Sequence, residues 1–444
     1  MKKGYLIFVT IVIFMLVFYG CSDSNSFRDP VEPGFNAETL STDIENPYFT
    51  LTPGTSYIYE GETEDGTETI EVFVSYLTRE ILGAECTVVV DRVYLDDELI
   101  EETFDWYAQD TEGNVWYMGE DSAEYEDGEI VSTEGSWEAG VDGAEAGILI
   151  KANHVVGDSY YQEYYAGEAE DMAEVFALNV PVTLSDGTGY TCLQMEEWTA
   201  LEPGIVEYKY YAEGVGVVLE EKKDGSERIE LKEITIDTSP DIDPNDFVDS
   251  VDNTYLPLTP GTTYFYEGET EDGFEEIEIF VSHETKEVLG VTCTVVRDRA
   301  YLDGELIEET FDWFAQDEEG NVWYFGEDSR EIEDGQVVST EGSWEAGVDG
   351  AQPGVIMKGE PREGDSYRQE YYGGEAEDMG AVISLGQTVS VPYGNLENCL
   401  QTLDWNPLEE DSNEYKYYAP NLGLILETSE DGSEPIELVN ITFE

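Results

Sequence analysis

Apolar and polar positions alternate along most of this chain. Tyr57-Ile58-Tyr59, Ile70-Glu71-Val72-Phe73-Val74, Cys86-Thr87-Val88-Val89-Val90 and Tyr208-Lys209-Tyr210-Tyr211 are β-branched or aromatic runs bounded by Gly, Asp and Pro. Such runs read as half-buried strands. Asp-Gly dipeptides fall between runs at 65–66, 127–128, 224–225, 272–273, 303–304, 334–335 and 431–432, the strongest short-range hairpin signal. Asp110-Thr111-Glu112-Gly113-Asn114 joins Phe104-Asp105-Trp106-Tyr107-Ala108 to Val115-Trp116-Tyr117 as a further hairpin. No stretch sustains a helical period. The best helix candidate, Gly167 to Leu178, alternates as well as it turns. The pattern predicts an all-β chain.

The pattern is also written twice. Residues 46–234 recur as 253–441, at the offset given by Cys293 minus Cys86 and by Cys399 minus Cys192, which is 207. The octapeptide Leu99–Trp106 returns as Leu306–Trp313, and Ser132–Ala144 returns unchanged as 339–351. Each copy is long enough for its own core. Each reads as a meander of roughly ten antiparallel strands, and burying one face of such a sheet requires a barrel, a half-barrel or a sandwich. The expected organisation is an N-terminal signal over 1–21, a disordered tether over 22–45, one β-domain over 46–234, an acidic linker over 235–252 and a second β-domain over 253–444.

The first segment is an address. Lys2-Lys3 precedes an apolar run, Gly4 to Gly20, shorter than a comfortable membrane span. Phe18-Tyr19-Gly20-Cys21 resembles the lipobox of bacterial lipoproteins, which implies lipid on Cys21 and a chain exported to the cell envelope and held at a membrane by that lipid. The opening motif Leu51-Thr52-Pro53-Gly54-Thr55…Tyr57…Tyr59-Glu60-Gly61 repeats as Leu258–Gly268. Together with the Asp-Trp-aromatic-Ala-Gln-Asp block, it resembles a group of secreted bacterial proteins of unknown function. That resemblance implies exported all-β domains and brings no activity. Likeness to curved-sheet lipoprotein carriers is an analogy of fold.

Charge narrows the partners. The chain has 102 Asp and Glu against 19 Lys and Arg, a formal net charge of −83. Phosphate recognition needs a basic surface, so nucleic acid is excluded, as is adsorption to an anionic membrane. A saline-adapted coat, bound cations, or a basic or cell-envelope partner remain. Arg92 and Arg299 correspond, as do Lys209 and Lys416, and are read as structural ion-pair partners. Besides Cys21, each copy has two cysteines. Self-contained repeats favour the disulfides Cys86–Cys192 and Cys293–Cys399, which an oxidising exterior permits; buried free thiols are the alternative.

The duplication filters the chemistry. His154 aligns with Pro361 and His283 with Tyr76, so no histidine-based triad or zinc site is shared by the copies. No phosphate-cradling loop or nucleophile elbow appears, and the chain reads as no enzyme. Calcium, which takes oxygen ligands, is the candidate ion. The shared acids are densest in three groups: Asp105, Asp110, Glu120 and Asp121 (Asp312, Asp317, Glu327 and Asp328); Glu134, Glu138 and Asp142 (Glu341, Glu345 and Asp349); and Glu163 with Glu168, Glu170 and Asp171 (Glu370, Glu375, Glu377 and Asp378). The acid run Asp241–Asp246 resembles a calcium loop only loosely. The leading reading is a lipid-anchored, calcium-binding structural or interaction module. Its rival is a carrier whose curved sheet holds a small apolar or amphiphilic ligand, walled by Trp106, Trp116, Trp137, Tyr164, Trp313, Trp323, Trp344 and Tyr371.

Overall fold

The computed structural model describes residues 36–444 apart from residues 64, 202, 237–239, 241, 271, 410 and 411. The signal and lipidated Cys21 expected over 1–21 lie outside the described residues. The chain divides into two units, Met1–Asp237 and Thr238–Glu444.

In the first unit the long strands are β1 (Thr55–Glu62), β2 (Thr67–Ile81), β3 (Ala84–Leu95), β4 (Glu98–Asp110), β5 (Val115–Glu126), β6 (Glu145–Ile150), β7 (Asp171–Thr183), β8 (Gly189–Thr199), β9 (Glu207–Ala212), β10 (Gly216–Lys222) and β11 (Arg228–Ile236). They pair antiparallel in the order β7 through β11, then β1 through β6. The two edges meet in one short segment. Ser159–Tyr161 pairs with β7, and the next pair, Glu163–Tyr164, pairs with β6. The sheet is thereby brought round into a nearly closed barrel. A Cβ on Gly147 would lie 2.0 Å from the Gln162 carbonyl, so only glycine lets β6 approach the closing segment this closely.

The second unit repeats this plan with β12 (Thr262–Glu269), β13 (Phe274–Val288), β14 (Val291–Leu302), β15 (Glu305–Asp317), β16 (Val322–Glu333), β17 (Gln352–Met357), β18 (Met379–Val391), β19 (Gly394–Trp405), β20 (Glu414–Ala419), β21 (Gly423–Ser429) and β22 (Ile436–Phe443). Ser366–Arg368 and Glu370–Tyr371 close it. Of the three architectures the sequence allows, each repeat is barrel-like.

Local chemistry follows the sequence. At Asp127-Gly128, Asp303-Gly304 and Asp334-Gly335 both residues have positive φ, the geometry that lets a two-residue turn match the twist of its strands. The helix candidate is instead a turn over 167–170 followed by the first half of β7. Two expected boundaries move. The tether is already ordered at Leu40–Ser41, which pairs with Gln109 and Asp110, and at Ile44–Asn46, which pairs with Phe49–Leu51. The second half of the linker packs onto the second unit, where Phe247-Val248 pairs with Gln316 and Asp317 and Phe247 meets the Trp323 and Phe325 rings edge-on.

The expected disulfides do not form. Cys86, Cys192, Cys293 and Cys399 are buried free thiols. Cys86 lies on β3 and Cys192 on β8, with β9, β10, β11, β1 and β2 between them in the sheet. Autonomous repeats put both cysteines in one domain, but they do not put them on neighbouring strands. Burial pushes the Cys86 and Cys293 thiols up to about 12 and Cys192 up to about 11, so thiolate is scarce at neutral pH. A thiol-reactive dye should label none of the four until the barrels unfold, and reductant should leave the melting temperature unchanged. A large loss of stability on reduction would restore the pairing.

Candidate carboxyl chamber

Three adjacent strands put acids on the inner face of the first barrel. Glu101, Thr103, Asp105 and Tyr107 alternate along β4 and point inward together. Across from them, Asp91 of β3 pairs with Thr103, and Glu120 of β5 pairs with Asp105. Strand alternation alone would put Tyr117 and Glu120 on opposite faces. A bulge corrects this. Trp106 pairs with Gly119 and Tyr107 with Tyr117, leaving Met118 as an extra residue. Gly119 takes φ +141, and a Cβ there would lie 2.4 Å from the Trp137 carbonyl. The Gly-Glu-Asp of both copies is therefore a bulge signal that turns Glu120, and Glu327 in the second barrel, inward.

The phenol of Tyr117 then bridges two carboxyls, donating to Asp105 Oδ1 (2.5 Å) and lying 2.9 Å from Glu120 Oε2. The Trp137 indole meets the Tyr117 ring edge-on and donates from Nε1 to Glu163 Oε2 at 2.7 Å. Asp171 sits beside Glu163 on the same wall. From across the lumen, Lys209 of β9 reaches Glu197 at 3.0 Å and Glu220 at 3.8 Å. Gln162, at the closure, donates to Glu197 Oε1 at 3.2 Å. Asp91, Asp105, Glu101, Glu120, Glu163, Asp171, Glu197 and Lys209 are all buried.

The second barrel repeats the arrangement. Tyr324 bonds Asp312 at 2.7 Å and Glu327 at 2.9 Å, Trp344 donates to Glu370 at 2.6 Å, and Lys416 reaches Asp404 at 3.3 Å and Glu427 at 3.7 Å. Tyr107 is replaced by Phe314.

Burial dominates the electrostatics. It pushes Asp105 and Asp312 up to about 7, and Glu163 and Glu327 up to about 8. Neighbouring carboxyls push Glu163 and Glu327 further the same way. Burial lowers the Lys209 ammonium, but Glu197 and Glu220 more than offset this and hold it charged. The interior thus has many acids and a single buried lysine among its described residues.

The sequence candidates sort into two kinds. Asp105, Glu120 and Glu163, with Asp312, Glu327 and Glu370, come together inside the barrels. The rest of the metal candidates do not join them. Asp110 accepts from the Glu112 and Asn114 amides, the Asn114 side chain and Trp116 Nε1, all within 3.0 Å, so its oxygens are committed to its hairpin turn. Asp317 does the same with Asn321 and Trp323. Glu138 pairs with Arg79 at 2.6 Å, Glu345 with Lys286 at 2.7 Å and Asp328 with Arg330 at 2.6 Å. Asp121, Glu134, Asp142, Glu341 and Asp349 are exposed. Within the run Asp241–Asp246, Asp243 caps a short turn by accepting from the Asn245 amide. Among the described residues, no three or more Asp, Glu, His or Cys side chains form a ready metal cage. Asp91, Glu101, Glu197 and Glu220 went unread, although each is an acid kept in both copies on a strand beside an apolar residue (Asp404 being the counterpart of Glu197).

The aromatic candidates are packing residues. Trp106 lies under the Arg79 guanidinium (3.9 Å) and Trp313 under the Lys286 ammonium (3.0 Å). Trp116 and Trp323 are pinned to the turn aspartates, and Trp137 and Trp344 to inner glutamates. Tyr164 packs edge-on against Tyr161, and Tyr371 lies under Arg368. A cleft of about 310 Å³ lies between the Ile44–Leu51 hairpin and β2, and none of these aromatics lines it.

No family model matches this chain, and no curated protein does. Solved structures do resemble it. A "putative exported protein with YmcC-like fold" from Bacteroides fragilis NCTC 9343 matches at 13% identity and a TM-score of 0.24, over 43% of this chain and 99% of that one. A "putative lipoprotein" from Parabacteroides distasonis ATCC 8503 matches at 11% identity and a TM-score of 0.21, over 43% of this chain and all of that one. At such scores these likenesses carry no argument about ligand or activity.

Proposed function

We propose that this chain is an exported, lipid-tethered, non-enzymatic module whose two barrels bind calcium through their inner carboxyls. The address rests on the Lys2-Lys3, apolar run and Gly20-Cys21 series. The ion rests on the chamber, where inner acids recur at matched positions in both barrels and far outnumber the matched lysine facing them, Lys209 in the first and Lys416 in the second. Buried charge needs a partner, and an all-oxygen set suits a hard cation. The carrier reading is less favoured, because its aromatic wall is occupied in packing and its lumen is lined with acids.

Thermal unfolding in chelator, calcium, magnesium and molar sodium chloride tests this. Sites of about 0.1–1 mM affinity in millimolar calcium add roughly 0.4–1.4 kcal/mol each, a rise of a few degrees. Asp105→Asn should raise the melting temperature in chelator, since an amide keeps the Tyr117 hydrogen bond without a buried charge, and should remove the calcium response of the first barrel. Stabilisation by molar salt alone would overturn the calcium reading and leave a saline coat.

A further inference from the structure

Buried polar side-chain atoms without a hydrogen-bond partner are uncommon in folded proteins, and each one costs stability. Three lie close together on the first barrel's inner wall: Asp91 Oδ1, Asp105 Oδ2 and Tyr107 Oη. Their residues are 4%, 0% and 1% exposed. The register explains the grouping. Asp105 and Tyr107 are alternate residues of β4, facing the same way. Asp91 of β3 pairs with Thr103, the inward residue before Asp105 on β4. Tyr107 stacks on Tyr117 at 4.9 Å, and Tyr117 holds the other Asp105 oxygen, Oδ1. The opposite oxygen and the Tyr107 hydroxyl lie beside each other, close enough for the phenol to stabilise the carboxylate but without a well-formed hydrogen bond.

Lys209 attracts both aspartates through space but hydrogen-bonds neither free oxygen, because its ammonium is engaged by Glu197 and Glu220. A buried water would complete hydrogen bonds here with the two aspartates kept protonated, as burial favours, whereas a cation would take the place of those protons. All three free atoms are oxygens, two of them on carboxyls that a hard cation would deprotonate on binding. The second barrel departs at one position. Phe314 stands where Tyr107 does, and Asp298 and Asp312 are half-buried rather than buried.

We infer that Asp91, Asp105 and Tyr107 form a discrete site for one hard cation in the first barrel, and that the second barrel lacks its equal. The inference rests on the calcium reading above, and it fixes the ligands and the stoichiometry. Two carboxylates and a phenol leave coordination places for water, consistent with the absence of a cage built from acids alone.

Terbium(III) is the probe, with the full chain and excitation of its aromatic side chains. Tyr107, Tyr117 and Trp137 stand at the site to sensitise it. One equivalent should bind tightly with sensitised emission, ahead of weaker binding in the second barrel, and be displaced by calcium. Tyr107→Phe should weaken binding about tenfold or more, and Asp91→Asn should abolish it. Tyr107→Phe removes a buried hydroxyl that makes no well-formed hydrogen bond, so in chelator it should melt within a degree or two of the parent. That result separates ligand loss from misfolding. Calcium titration of Asp298→Asn, the second-barrel counterpart of Asp91→Asn, should leave this tight site intact. Calcium stabilisation with unchanged terbium binding in Tyr107→Phe and Asp91→Asn would overturn this site and spare the broader reading. No binding of either ion by the parent chain would overturn both and leave a buried water as the occupant.

Discussion

Replacing Lys209 with methionine should lower the melting temperature of the first barrel by about 10 °C, the effect of roughly 3–5 kcal/mol in a domain of this size. Methionine fills similar space, so little of the loss comes from packing. The cost comes from Glu197 and Glu220, left buried without their cation. Burial and the neighbouring Glu207 hold Glu220 well above the usual carboxylate range, so it can recover by taking up a proton, and the penalty should be deepest near pH 8 and shrink towards pH 5. Lys223→Ala is the control. That lysine pairs with Glu196 at 2.8 Å but its side chain is 48% exposed, and solvent-screened pairs contribute about 1 kcal/mol or less. Lys416→Met should fall between the two, because its side chain is 25% exposed against 9% for Lys209. Calorimetry of the three variants decides the matter. Equal losses in K209M and K223A would mean that the interior tolerates unpaired carboxylates.

The second large effect is on pH. In chelator, the protein should melt about 5–10 °C higher at pH 5 than at pH 8. Burial holds Glu68 and Glu163 up at about 8 and Glu370 up at about 9, against ordinary values near 4.5 in the unfolded chain. The folded state therefore keeps protons that the unfolded state releases. The stabilisation is complete below about pH 4.5 and is lost as pH rises through 8 to 9, the reverse of the usual acid denaturation. Surface self-repulsion gives a slope of the same sign, but molar salt screens exposed charges and reaches buried ones much less. The slope should therefore persist in molar sodium chloride. A flat profile there would assign the whole effect to the surface.

The sequence makes the strands and hairpins legible because their signals are local. Alternation marks β1, β2 and β3, and Asp-Gly fixes the turns by the positive φ it tolerates. Closure was not legible. It depends on Ser159–Tyr164 touching β7 and β6, strands whose shared neighbour no local pattern announces. The disulfides were misread for a related reason, since residence in one domain says nothing about adjacency in a sheet. The site was half legible. Acids beside aromatics at Asp105, Glu120 and Glu163 stood out, whereas Asp110 looked the same in sequence and proved to be a turn residue. Only its hydrogen bonds to Asn114 and Trp116 separate the two. Asp91 sits between Val90 and Arg92, and its inward direction becomes visible only when its partner Thr103 is known.

The pairing of each unit's first and last long strands bears on how such a chain arises. β11 runs beside β1, with Arg228 opposite Glu62 and Ile236 opposite Thr55, and β22 runs likewise beside β12. The chain enters and leaves each barrel at one rim. A gene segment encoding such a unit can be copied head to tail without cutting a hydrogen-bond ladder, because no strand of the barrel's main path is borrowed from the next copy. The same geometry makes the unit a good subject for circular permutation. Joining 236 to 55 by a short loop and opening the chain at an exposed hairpin such as Asp127-Gly128 would keep every ladder between the barrel's long strands, losing only the short Leu40–Ser41 pairing, while changing the order in which its strands are synthesised.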